Sequence, residues 1–481
     1  KSGLASIAIL KPTKCKMPPA ATKSAARIPT AIETVLKVID IFRTRPVGPE
    51  THISCIKVVD FDQTCIIKAP MNMPTLSQTH EAIVIGGGIA GASIIKSLKN
   101  NHLNNFLVID SGNSPAQGTS GHDGALCHPY VGRGTSRLQR LSMIAFNEAK
   151  QIWANYWSGK GVLHLARNAE NHDKKLMSER LLSQGFSFDN AQVISSNEAK
   201  VLCGVSLAGT FFPEGGWVNL KQICEDLFSE LTDQQTMMSC TVKKIAYRDK
   251  YWLVYDEEQK IIGVTPRLFL ANGLGVKSLA ASANIDLPLK PVRGQLSTFG
   301  YKKGSSWANY QPRVALSGKA YCLPPIEMND GSYQWMVGSS YDEHEEDLSV
   351  WDQSHQENLS LIQEMLGTKC DLAEIEPVDA FVGIRCVASD RLPIMGPVKG
   401  HPGLYILTSL GSRGVMWSAL AHQMFTEHLA EELRHSAFLD TRFFAGARLA
   451  GLGLSEDLVS ALLPARFLAG ASNSKPILPS G

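Results

Sequence analysis

Residues 81–98 constrain this chain more tightly than any other stretch: the apolar run EAIVI passes directly into GGGIAG at 86–91 and then into a helix-like segment at 92–98. A strand, a glycine turn and a helix in that order open a βαβ unit. Gly86 permits the tight turn, Gly88 lets the backbone approach a pyrophosphate, and Gly91 lets the helix pack close to the strand. The helix start, through Ile89 and Ala90, offers oriented amides to phosphate oxygens. A second strand, FLVI at 106–109, ends in Asp110, at the spacing expected of an acid that holds a ribose hydroxyl. The competing reading of Asp110 is a plain strand-end cap. The pattern predicts an α/β chain built on a dinucleotide-binding domain.

At 481 residues the chain is long enough for two or three domains. Its formal net charge of +2 shows no overall basic field, which leaves a local nucleic-acid patch open. No apolar run approaches the length of a membrane span, so no membrane segment is expected. The ten cysteines are scattered without C-x-x-C pairs; they are expected to be reduced thiols in a cytoplasmic protein, and no metal site is expected. Residues 1–78 differ in character: 1–30 carry six basic residues and no acidic one. The favoured expectation is an extended or artefactual start, disordered and without function, against a transit peptide as the alternative. Helical spacing at 32–41 and a strand at 53–59 are the local order it suggests.

Beyond Asp110, the small-residue loop TSGHDGA at 119–125 has a backbone able to lie close to a flat ring system. A helix is predicted at 138–156, a turn at 211–217 and an amphipathic helix at 220–231, followed by strands at 241–247, 252–255 and 267–273. Short strands are expected at 295–299 and 334–339. The expected organisation is a first domain made of 79–150, 214–292 and 382–481, with a second, substrate-facing α+β domain of 151–213 and 293–381 inserted into it. Near the C-terminus, SLGSRG at 409–414 opens a helix running to 433; Gly411, Ser412 and Gly414 present amides and a positive dipole end suited to negative charge. An ordinary capped helix is the plainer reading. The glycine fingerprint alone does not separate NAD from FAD.

The order of motifs resembles the D-amino-acid-oxidase-like FAD oxidoreductases, which join an N-terminal glycine fingerprint to a C-terminal arginine motif and a glycine loop. GHDGAL at 121–126, FPEGGW at 212–217, RGQ at 293–295, GSSY at 338–341, GIRC at 383–386, DRLP at 390–393 and LGSRG at 410–414 are similar to the oxidoreductase half of the bifunctional enzymes of 5-methylaminomethyl-uridine synthesis in tRNA, over 80 to about 470. The resemblance implies FAD as cofactor, bound in a Rossmann-like domain by the turn residues above and by Ser120, His122, Gly124 and Ala125. It implies tRNA as substrate and oxidation of 5-carboxymethylaminomethyl-uridine at the wobble position to the aminomethyl base.

That substrate is an N-substituted glycine, and a guanidinium fork suits its carboxylate, which assigns Arg385 as the clamp, with Arg413 beside it. Two departures stand out. Residues 1–78 are too short for the methyltransferase domain of the bifunctional enzymes, so methylation is expected from a separate methyltransferase or not at all. Asp110 replaces the glutamate many FAD relatives carry. The alternative within enzymes is an FAD-dependent oxidase of free glycine, sarcosine or a D-amino acid, and outside them a flavin- or tRNA-binding module. A tRNA substrate predicts a basic rim drawn from Arg133, Arg137, Arg140, Lys302, Lys303, Arg391, Arg413, Arg442, Arg448 and Arg466.

Overall fold

The apolar runs flanking the glycine turn form adjacent central strands. In the computed structural model, Ala82–Ile85 and Phe106–Ile109 pair in parallel, fully buried, within a six-stranded sheet. The order across that sheet is Thr236–Met237, Phe106–Ile109, Ala82–Ile85, Leu268–Leu270, Leu404–Thr408 and Ile394–Pro397, parallel throughout except for the last strand. The chain therefore moves one way from Ala82–Ile85 and later returns on its other side, which leaves a crevice at the carboxyl ends of Ala82–Ile85 and Leu268–Leu270. The structure describes residues 79–132, 134–166, 173–435 and 451–468, plus three short strands before them. Those strands, Ile7–Ala8, Cys55–Val59 and Thr64–Lys68, form one small sheet in a separate unit, Lys1–Thr75. The helix expected at 32–41 lies outside the described residues.

Helices Ile89–Asn100 and Gly414–His435 pack on each other and cover one face of the six-stranded sheet with a continuous apolar core. The first starts at Ile89, and Gly91, lacking a Cβ, lets it sit beneath the Gly86 carbonyl. On the other face lies a meander of Lys244–Arg248, Tyr251–Tyr255 and Ile261–Thr265. Its third strand went unanticipated; Gly263 interrupts the apolar pattern there because a Cβ would come 2.6 Å from Ile83 Cδ1. The 138–156 helix is observed as Arg137–Ile152 followed by a tight turn at Ala154–Tyr156. The 220–231 helix is Leu220–Ser229.

A second, ten-stranded sheet carries two long partners, Leu289–Lys302 and Ile375–Ala388, paired antiparallel from Leu289↔Ala388 to Tyr301↔Ile375. The seams expected at 292/293 and 381/382 fall inside these continuous strands. Outward from Leu289–Lys302 run Ser332–Gly338, Tyr321–Cys322, Ala315–Ser317, Val162–Leu165, Gly209–Phe212 and Gln192–Ile194. The predicted turn at 211–217 links Gly209–Phe212 of this sheet to Gly216–Val218, which pairs with Ala125–Cys127 and Trp157–Ser158 in a small three-stranded sheet.

Candidate active site

One cavity of about 2000 Å³ runs from the crevice of the six-stranded sheet to the face of the ten-stranded sheet. It exceeds the several hundred Å³ of a single small-ligand pocket and has room for a dinucleotide with a second molecule. Of the residues singled out from the sequence, Gly86, Gly88, Ile89, Ala90, Asp110, Ser120, His122, Ala125, Arg385, Gly411, Ser412, Arg413 and Gly414 line it. Gly91 lies behind the turn against Gly86, and Gly124 packs where a Cβ would meet Leu323 and Met336.

At the turn, Gly86 adopts φ +117°, and a Cβ there would stand 2.5 Å from the Ala271 carbonyl, so both the conformation and the contact demand glycine. Asp110 Oδ2 accepts from the Gly87 N–H at 2.6 Å and Oδ1 from Gly112 at 2.7 Å. Ser120 Oγ accepts from the Ile89 N–H at 3.0 Å, a cap reaching the helix from 31 residues away. A Cβ on Gly414 would lie 3.7 Å from Ile89 Cγ2, so the first turns of the two long helices meet at one wall of the cavity. Two positive dipole ends thus converge there. Two buried polar atoms of cavity-lining residues, His122 Nδ1 and Asn272 Oδ1, have no protein partner. Paired helix ends, a glycine cradle and orphaned polar atoms fit a large anionic dinucleotide. Asn272 escaped the sequence reading; its signal was the Asn-Gly that ends the 267–273 run.

Arg385 stands on Ile375–Ala388 opposite Val292, and its side chain crosses the neighbouring strand above Gly294, where a Cβ would fall on the guanidinium. It donates to Ser339 Oγ, to the Ser340 carbonyl at 3.3 Å and to the Arg293 carbonyl at 3.4 Å. Burial pulls its pKa below the usual arginine value, against the opposing pull of Tyr321, Tyr341 and Asp342. His122, tilted against Phe381 at 5.4 Å, is pushed down to about 4 by burial and then by Arg385, so it is neutral at physiological pH. Tyr321, also missed from sequence, donates to the Gly124 carbonyl at 2.9 Å and ties the 119–125 loop to the ten-stranded sheet. Gly294, Ser339 and Ser340 lay inside quoted motifs, but nothing in one dimension showed that they form the bed of Arg385.

The face of Leu289–Lys302 away from the cavity holds Arg293, fully buried. It donates to the Asp347 carbonyl at 2.8 Å, the Ser349 carbonyl at 2.6 Å, Gln295 Oε1 at 3.0 Å, Asp342 Oδ2 at 3.1 Å and Ser354 Oγ at 3.3 Å, with its plane over Trp351 at 3.7 Å. Asp342 Oδ2 also accepts from Ser340 Oγ at 2.9 Å, so Arg293 braces the segment on which Arg385 rests. Of the expected basic rim, Arg413 lies over the Tyr130 ring at 5.3 Å inside the cavity, its pKa lowered by burial. Arg466 braces Asp390 at 2.7 Å and the Leu392 carbonyl at 3.1 Å. Arg137 and Arg140 both pair with Asp457, and Lys303 with Glu327. Arg133, Arg442 and Arg448 lie outside the described residues.

Residues 81–427 match the profile of the FAD dependent oxidoreductase family. Among curated proteins, the tRNA 5-methylaminomethyl-2-thiouridine biosynthesis bifunctional proteins MnmC of Cupriavidus necator and Ralstonia nicotianae are each 29% identical to the chain, over 82% and 83% of it. The chain spans 61% and 62% of the lengths of those two relatives. Among solved structures it is similar to glycine oxidase from Geobacillus kaustophilus, with a TM-score of 0.59 at 17% identity over 74% of this chain and 95% of that one. The FAD-bound L-alpha-glycerophosphate oxidase from Mycoplasma pneumoniae gives 0.62 at 16% over 73% and 95%. At these identities the structures speak for the fold alone. Among the described residues, no helix is long and apolar enough to cross a membrane.

Proposed function

The chain belongs to the FAD dependent oxidoreductase family, and from that premise we propose that it oxidises 5-carboxymethylaminomethyl-uridine at the tRNA wobble position to 5-aminomethyl-uridine. The observation that carries the reading is Arg385, a partly buried guanidinium laid over Gly294 in the cavity that the dinucleotide turn also lines. The names of the 29%-identical relatives support a modified uridine of tRNA as the amine that arrives there. In this reading, the six-stranded sheet with its helices forms the cofactor half and the ten-stranded sheet the substrate half.

Gly86, Gly88, Ile89 and Ala90 would hold the pyrophosphate of FAD at the helix start, which Gly91 lets pack beneath the turn, with Asp110 at the ribose. The loop with Ser120, His122, Gly124 and Ala125 would lie along the ring system, and Gly411, Ser412 and Gly414 would direct amides at it. FAD, when bound, supplies the acceptor for the two electrons that leave as a hydride. Arg385 takes the substrate carboxylate in a charge-assisted fork and thereby fixes the carbon between carboxylate and amine. Arg413, set back over Tyr130, adds positive charge to the same cavity. The substrate loses that hydride and its N–H proton; water adds to the resulting C=N bond and releases the aminomethyl base and glyoxylate.

The test is anaerobic mixing of the FAD-loaded protein with tRNA carrying the carboxymethylaminomethyl base, and separately with glycine and sarcosine, while the flavin absorbance is followed. Bleaching by the tRNA, with aminomethyl-uridine recovered on digestion, supports the proposal. Bleaching by the free amines alone sinks it in favour of a small-amine oxidase.

A further inference from the structure

Among the described residues, the phenyl and phenol rings that line the cavity are those of Tyr130, Phe212, Tyr321, Tyr341 and Phe381. All but one are committed to the protein itself. Tyr130 carries the Arg413 guanidinium on its face at 5.3 Å, and Phe212 is fully buried with its ring stacked on His128. Tyr321 donates to the Gly124 carbonyl at 2.9 Å, and Phe381 packs against Gly121, Gly383 and His122. Tyr341 differs: it is 51% exposed, and its ring centre lies 6.0 Å from the guanidinium carbon of Arg385.

The segment that carries this exposed ring is pinned on both sides of it. Ser340 Oγ accepts from the Gln295 N–H at 3.1 Å and donates to Asp342 Oδ2 at 2.9 Å, and Asp342 sits opposite Arg293 in the strand register. Arg293 in turn holds Asp342 and the carbonyls of Asp347 and Ser349. A fully buried guanidinium thus fixes a stretch whose aromatic side chain is open to solvent, and a ring mounted in this way loses little conformational freedom when a ligand covers it. The same stretch carries Asp342, Glu343, Glu345, Glu346 and Asp347. Such a run of carboxylates repels phosphate, so what this rim can take from an RNA is the face of a base.

We propose that Tyr341 is the stacking platform for the target uracil: the base lies on the phenol ring while its 5-substituent carries the carboxylate to Arg385. The inference rests on the tRNA reading above and supplies its selectivity. Bases of single-stranded loops are free to stack on aromatic side chains. Four bonds of about 1.5 Å join the carboxylate carbon to the uracil ring, an arm long enough to leave the base beside a phenol ring whose centre is 6.0 Å from the guanidinium carbon. Glycine and sarcosine bring a carboxylate to Arg385 but no ring to Tyr341, so the platform favours the modified nucleoside over the free amines.

The experiment uses the full-length, FAD-loaded protein and an anticodon stem-loop RNA bearing 5-carboxymethylaminomethyl-uridine. The half-saturating concentration and the limiting rate of anaerobic flavin bleaching are measured for the wild type, Tyr341→Phe, Tyr341→Leu and Tyr341→Ala. Loss of one base–aromatic stack raises half-saturation about 5- to 150-fold. That rise is expected in Tyr341→Leu and Tyr341→Ala, and it should fall on half-saturation more than on the limiting rate. Tyr341→Phe, which keeps the aromatic face, should stay within about threefold of wild type. Values within that margin for Tyr341→Leu or Tyr341→Ala, or a Tyr341→Phe protein as weak as Tyr341→Ala, overturn the inference and leave the oxidation standing. Acetate binding, read from the spectrum of the oxidised flavin, should be equal in all four proteins; a loss parallel to that of the RNA would make Tyr341 a support of Arg385 and overturns the inference too. Absence of bleaching by the RNA in the wild type removes the oxidation and the inference together. Should Tyr341→Ala fail to retain FAD, the comparison of Tyr341→Phe with Tyr341→Leu still decides.

Discussion

Gly294→Ala separates the proposed substrate clamp, Arg385, from the scaffold. The new methyl group falls on the Arg385 guanidinium, the far end of a flexible side chain, so the arginine must swing away while the strand keeps its register. Relief of glycine's backbone entropy offsets part of the cost, and the net change in stability is expected within about 1 kcal/mol, or about 3 °C in melting temperature. A displaced guanidinium forfeits its charge-assisted bonds to the substrate carboxylate, about 1.5–3 kcal/mol, which raises the half-saturating substrate concentration about 10- to 150-fold. Anaerobic stopped-flow bleaching against substrate concentration gives that value and the limiting rate separately, and differential scanning calorimetry gives the melting temperature. Unchanged half-saturation in a protein of unchanged stability would refute the assignment of Arg385 as the clamp.

Three further outcomes are expected. Arg293→Met, which leaves the carbonyls of Asp347 and Ser349 without the Arg293 donor and Asp342 with Ser340 Oγ but no guanidinium, should cost about 3–5 kcal/mol in urea unfolding; a loss under 1 kcal/mol would mean the 342–351 segment holds itself. Gly86→Ala, at φ +117° and against the Ala271 carbonyl, should yield protein that loses its FAD on gel filtration, and retention of stoichiometric flavin would contradict the cradle. Glu432, buried beneath Tyr405, Arg267 and His428, is pushed up by burial but pulled further down by those partners, so its pKa lies below the ordinary carboxylate value. Its stabilising contribution is therefore complete above the unfolded-state value and is lost as pH falls through the folded one. Glu432→Gln should be less stable than wild type at neutral pH, with the gap narrowing on acidification; a gap that widens toward low pH would show the sign to be wrong.

The elements legible in one dimension were those whose cause is local. EAIVI and FLVI are buried strands because uninterrupted apolar runs bounded by turn residues have no other way to hide both faces, and the glycines between them restrict the turn to one geometry. The helix at 220–229 was visible from its apolar stripe. Leu289–Lys302 was legible only over residues 295–299, because its exposed Lys290 and buried Arg293 hide a strand that its 14-residue partner sustains.

The chain's own order of residues determined that it would build a glycine-turned βαβ crevice for a dinucleotide, and that Arg385 was a guanidinium worth explaining. Only the tertiary structure decided what each polar group does, because hydrogen bonds join residues by distance in space and not along the chain. Ser120 caps a helix 31 positions away. Arg385 reaches Ser339 across 46, and Ser317 joins His128 and His164 across 189 and 153. Arg293 and Arg385 look alike in sequence, but strand alternation turns one into the packed brace of a loop and the other into the cavity. Burial and neighbours, set by that alternation, are what make one guanidinium structural and leave the other available for a carboxylate.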